Sequence, residues 1–545
     1  MSAAPILQMP PFPGARVAAI TFPRPADDGC GDAPAAEVRA CLDALAAARV
    51  GGTFWAELPV LDPTRRLIAV PADDAQAAAM EQLAAEQGRS GELFLLSPAR
   101  AFDPWPAIEQ ADAIWCDAGD PIALLAGAAG RDVRCFGDGL FARIGSGDEA
   151  ALIEVAGEWL VRRVRYVDPF SGEEFNAARA IALLGFWRGL IDANRDIAGA
   201  AGFARWKRGT VEPLLWGGTP VRFIAAGAAG LADLPNGGPL ALWKSKVPAG
   251  FPAEAERRGH PLIEVEDGFI RSAGLGADCV PPLSIVVDRL GAHFDPAGPS
   301  ELEHLLEVAE IDADTLAEAD RLRAAIIASG VGKYGAASAA IERPAGQRRH
   351  VLVTGQVEDD RSVLAGGGRV TGNLDLLRRV RACEPDAYIL YKPHPDIEAG
   401  HRKGHVPPGD ALAHADAVVA DQPIAALIAM VDHVHVLTSL AGFEALIRVK
   451  PVTTHGTPFY AGWGLTDDRG DVPARRTRRR SIAELIAVVL MLYPRYLDPV
   501  TGLPCPAEVL VDRLAAGQSS GGGAVTAFRR LQGAVRRRVT RMIAA

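Results

Sequence analysis

The chain has 545 residues, 49% of them hydrophobic and only 6% aromatic, and its net charge at pH 7 is −10. That length exceeds one ordinary hydrophobic core and predicts two to four domains, and the composition excludes a largely disordered chain. The negative charge argues against a general nucleic-acid binder, which needs a basic surface.

The seven cysteines are scattered along the chain and form no CxxC pair. This spacing argues against a disulfide framework or a cysteine-based zinc site and favours a reducing cytoplasm. The start, MSAAPILQMPPFPG, lacks the basic and apolar regions of a secretory signal. We therefore expect a cytoplasmic protein.

Short apolar runs alternate with amphipathic helical stretches along most of the chain. Each of these runs predicts a buried strand: VAAITF, GELFLL, ADAIWC, PLIEVE, RHVLVTG, DAYILYK and DHVHVLT. Strand–helix alternation is typical of doubly wound parallel sheets, so the predicted fold class is α/β with Rossmann-like domains.

An internal repeat links the two ends of the chain. RYVDPFSG at residues 165–172 returns as RYLDPVTG at residues 495–502, each time after an apolar helix. The repeat predicts that residues 1–190 are a truncated copy of the later sequence, although two α/β domains can also look alike by composition alone. The early copy has lost polar residues, because Ala99 stands near the place of His394 and Phe136 near that of His455.

The first polar cluster is VEDGFIRS at residues 265–272. The strand PLIEV brings Glu266 and Asp267 to a glycine turn, and Arg271 and Ser272 follow. Residues at the carboxyl ends of parallel strands face the ligand crevice of an open α/β sheet. An Asp-Gly pair is also common in turns that bind nothing.

Two further strands end in polar residues. GQVEDDR at residues 355–361 contains Gln356, Asp359 and Asp360, whose carboxylates could serve chemistry or simply cap a helix. YKPHPD ends a strand with Lys392 and with His394 between two prolines, which fix the direction of the loop.

A fourth strand ends in TSLAGFEAL, where Thr438 and Ser439 precede an amphipathic helix. The N–H groups at a helix N-terminus suit a phosphate. The segment at residues 453–465, with His455 and Tyr460, suits closure over a sugar or nucleotide. No set of His, Cys and Asp has metal-ligand spacing, so no metal site is predicted.

The C-terminal region predicts a buried helix and a basic tail. Ser481 and Glu484 form a capping box before LIAVVLMLY, which is too short for a bilayer span of about 20 residues. GQSSGGG leads into AFRRLQGAVRRRVTRMIAA, so residues 517–545 are interpreted as a flexible linker and a basic amphipathic helix for an anionic membrane surface, or as a solvated tail.

Together these segments resemble the capsular polysaccharide β-Kdo transferases of the KpsC/LipA family. The resemblance is carried by EDGFIRSAGLG, GQVEDDRS, YKPHPDIEAGHRKG and TSLAGFEALIRVKPVTTHGTPFYAGWGLTDD, and also by GFARWKR at residues 202–208. It covers residues 200–510 strongly and 1–190 weakly.

The resemblance implies a GT-B-like module of two Rossmann-like domains. Residues 200–345 would form the acceptor-side domain with the EDG motif, and residues 346–510 the CMP-sugar domain with closing helices. Residues 1–190 would be the degenerate remnant of a first transferase module.

The family also implies an activity, namely retaining transfer of Kdo from CMP-β-Kdo to a lysophospholipid or oligo-Kdo acceptor, without a cofactor or a metal. The implied nucleophile is Asp360, with Asp359 second, and the implied base is Glu266 or Asp267. Arg271 is expected to pair with the sugar carboxylate. The implied substrate-binding residues are Lys392, His394, Thr438, Ser439, Arg271, Ser272, Gln356, His455 and Tyr460.

The expected partners are capsule biosynthesis and export proteins and the inner face of the inner membrane, where the protein would be peripheral. Two alternatives remain at this stage. The first is a transferase for another CMP-sugar, such as CMP-sialic acid. The second is a non-catalytic scaffold or export partner in capsule assembly.

Overall fold

The computed structural model describes residues 6–25, 33–97, 101–145, 147–272, 280–332, 335–336, 342–344, 346–398 and 402–518. The predicted basic helix and Ala99 lie outside the described residues. The chain divides into two compact units. Unit 1 comprises Met1–Ile197, Leu215–Val221 and Thr501–Leu503, and unit 2 comprises Ala198–Leu214, Arg222–Val500 and Pro504–Ala545.

Unit 1 is built around a short parallel sheet with the strand order β3-β2-β4-β5. A small antiparallel sheet has the order β1-β6-β7. The strands are β1 (Thr21–Pro23), β2 (Leu67–Val70), β3 (Leu93–Leu95), β4 (Ala113–Asp117), β5 (Asp132–Phe136), β6 (Val164–Val167) and β7 (Glu174–Phe175). The helices are α1 (Ala35–Ala48), α2 (Asp74–Glu86), α3 (Pro104–Gln110), α4 (Ile122–Ala128), α5 (Glu149–Ala156) and α6 (Ala177–Asp192).

Unit 2 contains a mixed sheet with the order β22-β21-β12-β11-β10-β8-β9. Its strands are β8 (Gly199–Ala201), β9 (Phe223–Ile224), β10 (Leu240–Leu242), β11 (Leu262–Asp267), β12 (Ser284–Asp288), β21 (Pro494–Leu497) and β22 (Pro504–Cys505). The helices that accompany this part of the chain are α7 (Arg205–Leu215), α8 (Ala228–Ala232), α9 (Phe251–Arg257), α10 (Glu301–Val308) and α11 (Ala313–Ser329).

A second, wholly parallel sheet in unit 2 has the order β17-β16-β15-β18-β19-β20. Its strands are β15 (His350–Thr354), β16 (Tyr388–Lys392), β17 (Ala417–Val418), β18 (His433–Val436), β19 (Val452–Thr454) and β20 (Asp467–Asp468); β13 (Val331–Gly332) and β14 (Gly335–Ala336) form a separate pair. The helices that accompany this sheet are α12 (Arg361–Gly366), α13 (Asn373–Cys383), α14 (Pro395–Glu398), α15 (Pro408–Leu412), α16 (Ile424–Met430) and α17 (Leu440–Ile447). Two later helices, α18 (Ile482–Ile486) and α19 (Ala507–Ala515), pack on α11.

The predicted α/β class is confirmed, and each predicted apolar run overlaps a strand. One boundary differs from the prediction. β21 and β22 fall within the predicted CMP-sugar domain but extend the first sheet of unit 2, because β21 pairs antiparallel with β12. The chain thus returns to the first sheet before residue 510.

The repeated octapeptides have the same local structure in both places. Each follows a π-helical turn, and each tyrosine closes that turn: Tyr166 Oη donates to the Leu160 carbonyl at 2.9 Å and Tyr496 Oη to the Leu490 carbonyl at 2.7 Å. The shared sequence therefore encodes a shared helix-to-strand junction.

The predicted capping box is confirmed at the start of α18. The Ser481 N–H donates to Glu484 Oε2 at 2.8 Å, and the Glu484 N–H donates to Ser481 Oγ at 3.2 Å. The apolar run that follows is largely buried, as predicted. None of the helices in the described part of the chain combines the length and apolar character needed to cross a bilayer.

Candidate active site

Strand β11, which ends in the EDG motif, carries two glutamates, Glu264 and Glu266, that bind the same arginine. Arg361, the first residue of α12, donates to Glu264 Oε1 at 2.5 Å and to Glu266 Oε1 at 2.6 Å. Burial raises the pKa of Glu266 to about 7, and Arg361 opposes that rise. Glu266 is thus a carboxyl group that can gain and lose a proton near neutral pH.

Asp267 faces a different set of charges. Arg271 Nε lies 2.9 Å from Asp267 Oδ2, and Lys207 Nζ lies 3.6 Å from Asp267 Oδ1. Lys207 also lies 3.3 Å from the centre of the Trp243 ring, and burial lowers the pKa of this lysine to about 8. The segment GFARWKR contributes to the family resemblance, but nothing in its sequence pattern predicts a site role for Lys207.

The expected pairing of Arg271 with a sugar carboxylate does not fit this arrangement. The side chain is 1% exposed, and its guanidinium donates to Ser272 Oγ at 2.8 Å and to the Val280 carbonyl at 2.9 Å. Because its nitrogens face the protein, Arg271 and the fully buried Ser272 hold Asp267 and the turn in place.

The loop after β15 is fixed to the loop after β18 by one carboxamide. Gln356 Oε1 accepts from the Thr438 N–H at 2.8 Å, and Gln356 Nε2 donates to Thr438 Oγ1 at 3.0 Å. Asn373 holds Gln356 in turn, through bonds of 2.8 Å to its backbone N–H and carbonyl. Gln356, predicted to bind substrate, therefore positions Thr438, and sequence reasoning missed Asn373.

The two predicted nucleophiles lie on the exposed side of the same loop. Asp360 caps α12, because its Oδ1 accepts from the Ser362 N–H at 3.0 Å and from Ser362 Oγ at 2.8 Å. Asp359 forms an ion pair with Arg402 at 3.1 Å. The capping alternative is thus realised at Asp360, whose neighbour Arg361 joins this loop to the EDG strand.

Lys392 is the last residue of β16, the neighbour of β15 in the sheet, and His394 lies two residues beyond it. Lys392 Nζ donates to the Ala420 carbonyl at 2.9 Å, and burial lowers the pKa of this lysine. His394 Nδ1 accepts from the Asp396 N–H at 3.2 Å. In a neutral ring, that contact places the proton on Nε2.

Ser439 begins α17, and its Oγ accepts from the Ala441 N–H at 3.2 Å. Tyr460 supports this turn from behind: it is fully buried and donates to the Ser439 carbonyl at 2.5 Å. The predicted substrate contact of Tyr460 is therefore replaced by a supporting role, since a fully buried ring has no surface for a ligand.

Gly442 marks how closely Tyr460 approaches α17. A Cβ atom at residue 442 would lie 2.2 Å from Tyr460 Oη. We expect Gly442→Ala to lower the free energy of unfolding by about 1–3 kcal/mol, because Tyr460 must move to make room for the methyl group. A urea titration measures this change. The control is Gly209→Ala in α7, where nothing lies within 4 Å of the added Cβ; we expect it to be neutral or slightly stabilising.

His455 is buried beside His435 and does not lie on the surface of the loop that follows β19. It is 7% exposed, and its Nε2 lies 3.1 Å from His435 Nδ1. Burial lowers the pKa of His455 and of His433 to about 4, so both rings are neutral at pH 7. The predicted ligand contact does not match this position. The signal missed in the sequence was the H-x-H pattern of β18, which puts His433 and His435 on one face.

The carboxyl ends of β16, β15 and β18 are adjacent in the parallel sheet, so their loops lie side by side. This brings together Lys392, His394, Thr438, Ser439 and the loop at residues 355–361, called the aspartate loop below because it carries Asp359 and Asp360. Arg361 then joins that set to the end of β11. Cations, hydroxyls and carboxylates therefore meet at the strand ends, which is where an open α/β sheet binds its ligand.

Comparison with known proteins identifies the class. The family described as "Capsule polysaccharide biosynthesis protein" matches residues 240–331 and 327–496. Capsule polysaccharide modification protein LipA of Neisseria meningitidis serogroup A is 38% identical over 348 residues, or 63% of this chain and 49% of LipA. Lipopolysaccharide-processing protein LpsZ of Rhizobium meliloti is 48% identical over 259 residues, or 47% of this chain and 59% of LpsZ.

Two solved structures from Thermosulfurimonas dismutans are also similar. KpsC β-Kdo 2,7 transferase is 32% identical, with a TM-score of 0.49, and the match covers 59% of this chain and 99% of that one. KpsC β-Kdo 2,4 transferase is 30% identical, with a TM-score of 0.49, and covers 58% and 98%. Residues 240–496 of this chain thus match the capsule polysaccharide biosynthesis family. The chain spans about half the length of LipA.

Proposed function

We propose that unit 2 is a retaining β-Kdo transferase that moves Kdo from CMP-β-Kdo to a lysophospholipid or oligo-Kdo acceptor in the synthesis of a capsule linker. The family and the names of the similar proteins support a Kdo transferase. The observation that carries the proposal is Arg361, which ties the aspartate loop to Glu266, a carboxyl group with a pKa of about 7. A GT-B-like module of this kind needs a nucleophile and a base at one crevice.

The first step is displacement of CMP. Asp360 attacks C2 of Kdo, the bond from C2 to the phosphate oxygen breaks, and CMP leaves with that electron pair. Because Ser362 occupies Oδ1 of Asp360, the attacking atom is Oδ2. The product of this step is a covalent glycosyl ester, as in retaining glycosidases.

The negative charge on the departing phosphate is stabilised by Lys392, the Nε2–H of His394, and the hydroxyls of Thr438 and Ser439 at the start of α17. These groups are held in place before the reaction, which is the condition for strong electrostatic stabilisation. In the second step, Glu266 takes the proton of the acceptor hydroxyl, the acceptor oxygen attacks C2, and the Asp360 carboxylate is released. Two displacements restore the β configuration.

We expect His394→Ala to lower kcat by about 10²–10³-fold with little change in the KM for CMP-Kdo, because the lost contact is strongest in the transition state. The measurement is steady-state release of CMP. His414→Ala, outside the strand-end loops, is the control and should keep normal kinetics. A rise in KM alone would assign His394 to ground-state binding and contradict the leaving-group role.

The function is tested with purified protein, a synthetic lysophospholipid acceptor and CMP-Kdo generated in situ, followed by mass spectrometry and NMR of the product. The expected product carries β-linked Kdo. Transfer from CMP-sialic acid in preference to CMP-Kdo would favour the sialic acid alternative. No transfer and no CMP release from either donor would favour a scaffold.

The proposed place of action is the cytoplasmic face of the inner membrane, because a lysophospholipid acceptor lies in the bilayer. This placement is tested by fractionating cells that express either the intact chain or a chain without residues 517–545. We expect the intact chain in the membrane fraction and the shortened chain in the soluble fraction.

A further inference from the structure

A cluster of metal-ligand side chains lies on β18, an interior strand of the second sheet of unit 2, and at the end of α13. His433 and His435 lie on the same face of β18, and Glu384 follows the end of α13. His433 and His435 are five and three residues before Thr438, or about 16 and about 10 Å along an extended chain, so the cluster lies on the strand and Thr438 in the loop after it.

The distances within the cluster suit a small divalent cation. One ligand atom each from Glu384, His433 and His435 lies within 4.8 Å of the others. His435 Nε2 is 3.6 Å from Glu384 Oε1. Ligand atoms about 2.0–2.2 Å from a tetrahedral zinc ion are about 3.3–3.6 Å apart, so this pair is already at coordination distance.

His435 Nε2 also needs a partner. The residue is 2% exposed, and this nitrogen is buried with no hydrogen-bond partner among the described residues. His435 Nδ1 lies 3.1 Å from His455 Nε2. When Nδ1 donates to His455, Nε2 presents a lone pair towards the Glu384 carboxylate, and two acceptors facing each other are stabilised by a cation.

A protein cation already stands beside these atoms. Arg349 Nη1 donates to Glu384 Oε1 at 2.8 Å, and its Nη2 contacts His433 Nδ1. The Arg349 side chain is 47% exposed, so it can rotate into solvent without opening the core. The position of the guanidinium, between Glu384 and His433, therefore favours positive charge, and a metal ion can bind there when Arg349 moves away.

We propose that Glu384, His433 and His435 form a zinc site, with His455 orienting His435 and Arg349 competing with the ion. Zinc fits best because two imidazoles and one carboxylate with tetrahedral spacing are its usual donors, and because it binds such sites more tightly than most divalent ions. Since the site joins β18 to the end of α13, bound zinc stabilises this sheet and takes no part in glycosyl transfer.

The test uses the full chain, stripped of metal with a chelator and titrated with Zn²⁺ and, as a spectroscopic probe, with Co²⁺. We expect one ion per chain and visible cobalt bands of tetrahedral intensity. Glu384→Gln and His435→Asn should each weaken Zn²⁺ binding by about 100-fold. The loss of a residue that only hydrogen-bonds to a metal ligand already weakens metal binding by about 10–100-fold, and a lost ligand should cost at least as much. His304→Ala, an exposed histidine on α10, is the control and should bind normally.

Arg349→Ala distinguishes a metal site from a purely structural cluster. If the guanidinium competes with the ion, its removal should strengthen Zn²⁺ binding by about tenfold, because a like charge is taken away. Glu384 and Arg349 are partly exposed, so both variants should fold even if His435→Asn does not. Absence of stoichiometric binding by both the wild type and Arg349→Ala, or binding unaffected by Glu384→Gln, would overturn the proposal.

Discussion

Asp360→Asn is expected to stop Kdo transfer, lowering kcat by about 10⁴-fold or more, while the protein stays folded. The amide cannot form the glycosyl ester, so the first displacement is lost. Asparagine caps helices as well as aspartate does, so the cap that Asp360 provides for α12 should persist. Loss of activity without loss of unfolding free energy would therefore report on chemistry.

Asp359→Asn is the matched control, since it changes the adjacent carboxylate on the same loop. It removes an exposed ion pair with Arg402, which contributes little to stability, and we expect the rate to stay within about tenfold of wild type. The reverse pattern, with Asp359 essential and Asp360 dispensable, would transfer the nucleophile role to Asp359.

The covalent intermediate offers a direct measurement. With CMP-Kdo and no acceptor, the wild type should accumulate an adduct with the mass of one Kdo residue, and peptide mapping should place it on Asp360. The Asp360→Asn protein should show none. Rapid CMP release with no adduct at any time, and a product of inverted configuration, would rule out the double displacement.

The positions of the strand-end loops could be predicted from the sequence because their signals are local. A contiguous apolar run followed by glycine or proline predicts a buried strand and its end, and parallel strands of one sheet end at one edge. The loops with Lys392, Asp360 and Thr438 were located in this way. The capping role of Asp360 was also among the alternatives that its position after a strand predicts.

The roles of Tyr460, His455 and Arg271 could not be predicted, because they depend on side-chain direction. A polar residue in a loop can face the crevice or turn inwards to hold another loop, and both have the same sequence pattern. Tyr460 and Arg271 turn inwards and are 0% and 1% exposed. Their hydrogen bonds join groups that are distant in sequence or hold a turn, and no local periodicity encodes such contacts.

Arg361 is the clearest case of a long-range contact that the sequence does not show. In the sequence it is simply the residue that follows Asp359 and Asp360. In the structure it forms ion pairs with Glu264 and Glu266, which belong to the first sheet of unit 2. The return of β21 to that sheet was missed for the same reason. Strand pairing across hundreds of residues follows from the tertiary fold.

Glu266 is expected to control the pH dependence of transfer. A base must be ionised, so kcat/KM should fall as the pH drops below about 7, the pKa that burial gives this carboxyl group. Glu266→Gln should lower the rate by about 10²–10⁴-fold and remove this acidic limb. A wild-type profile that stays flat from pH 8 to pH 5 would contradict the assignment of Glu266 as the base.

Arg361→Met provides a second readout that a merely structural role would not give. Arg361 lowers the pKa of Glu266 by its positive charge, so its removal should raise that pKa and move the acidic limb to higher pH. Arg361→Lys keeps a charge and should move the limb less. If both variants lose activity equally at every pH, Arg361 only holds the strand and the loop together, and its proposed influence on the base is wrong.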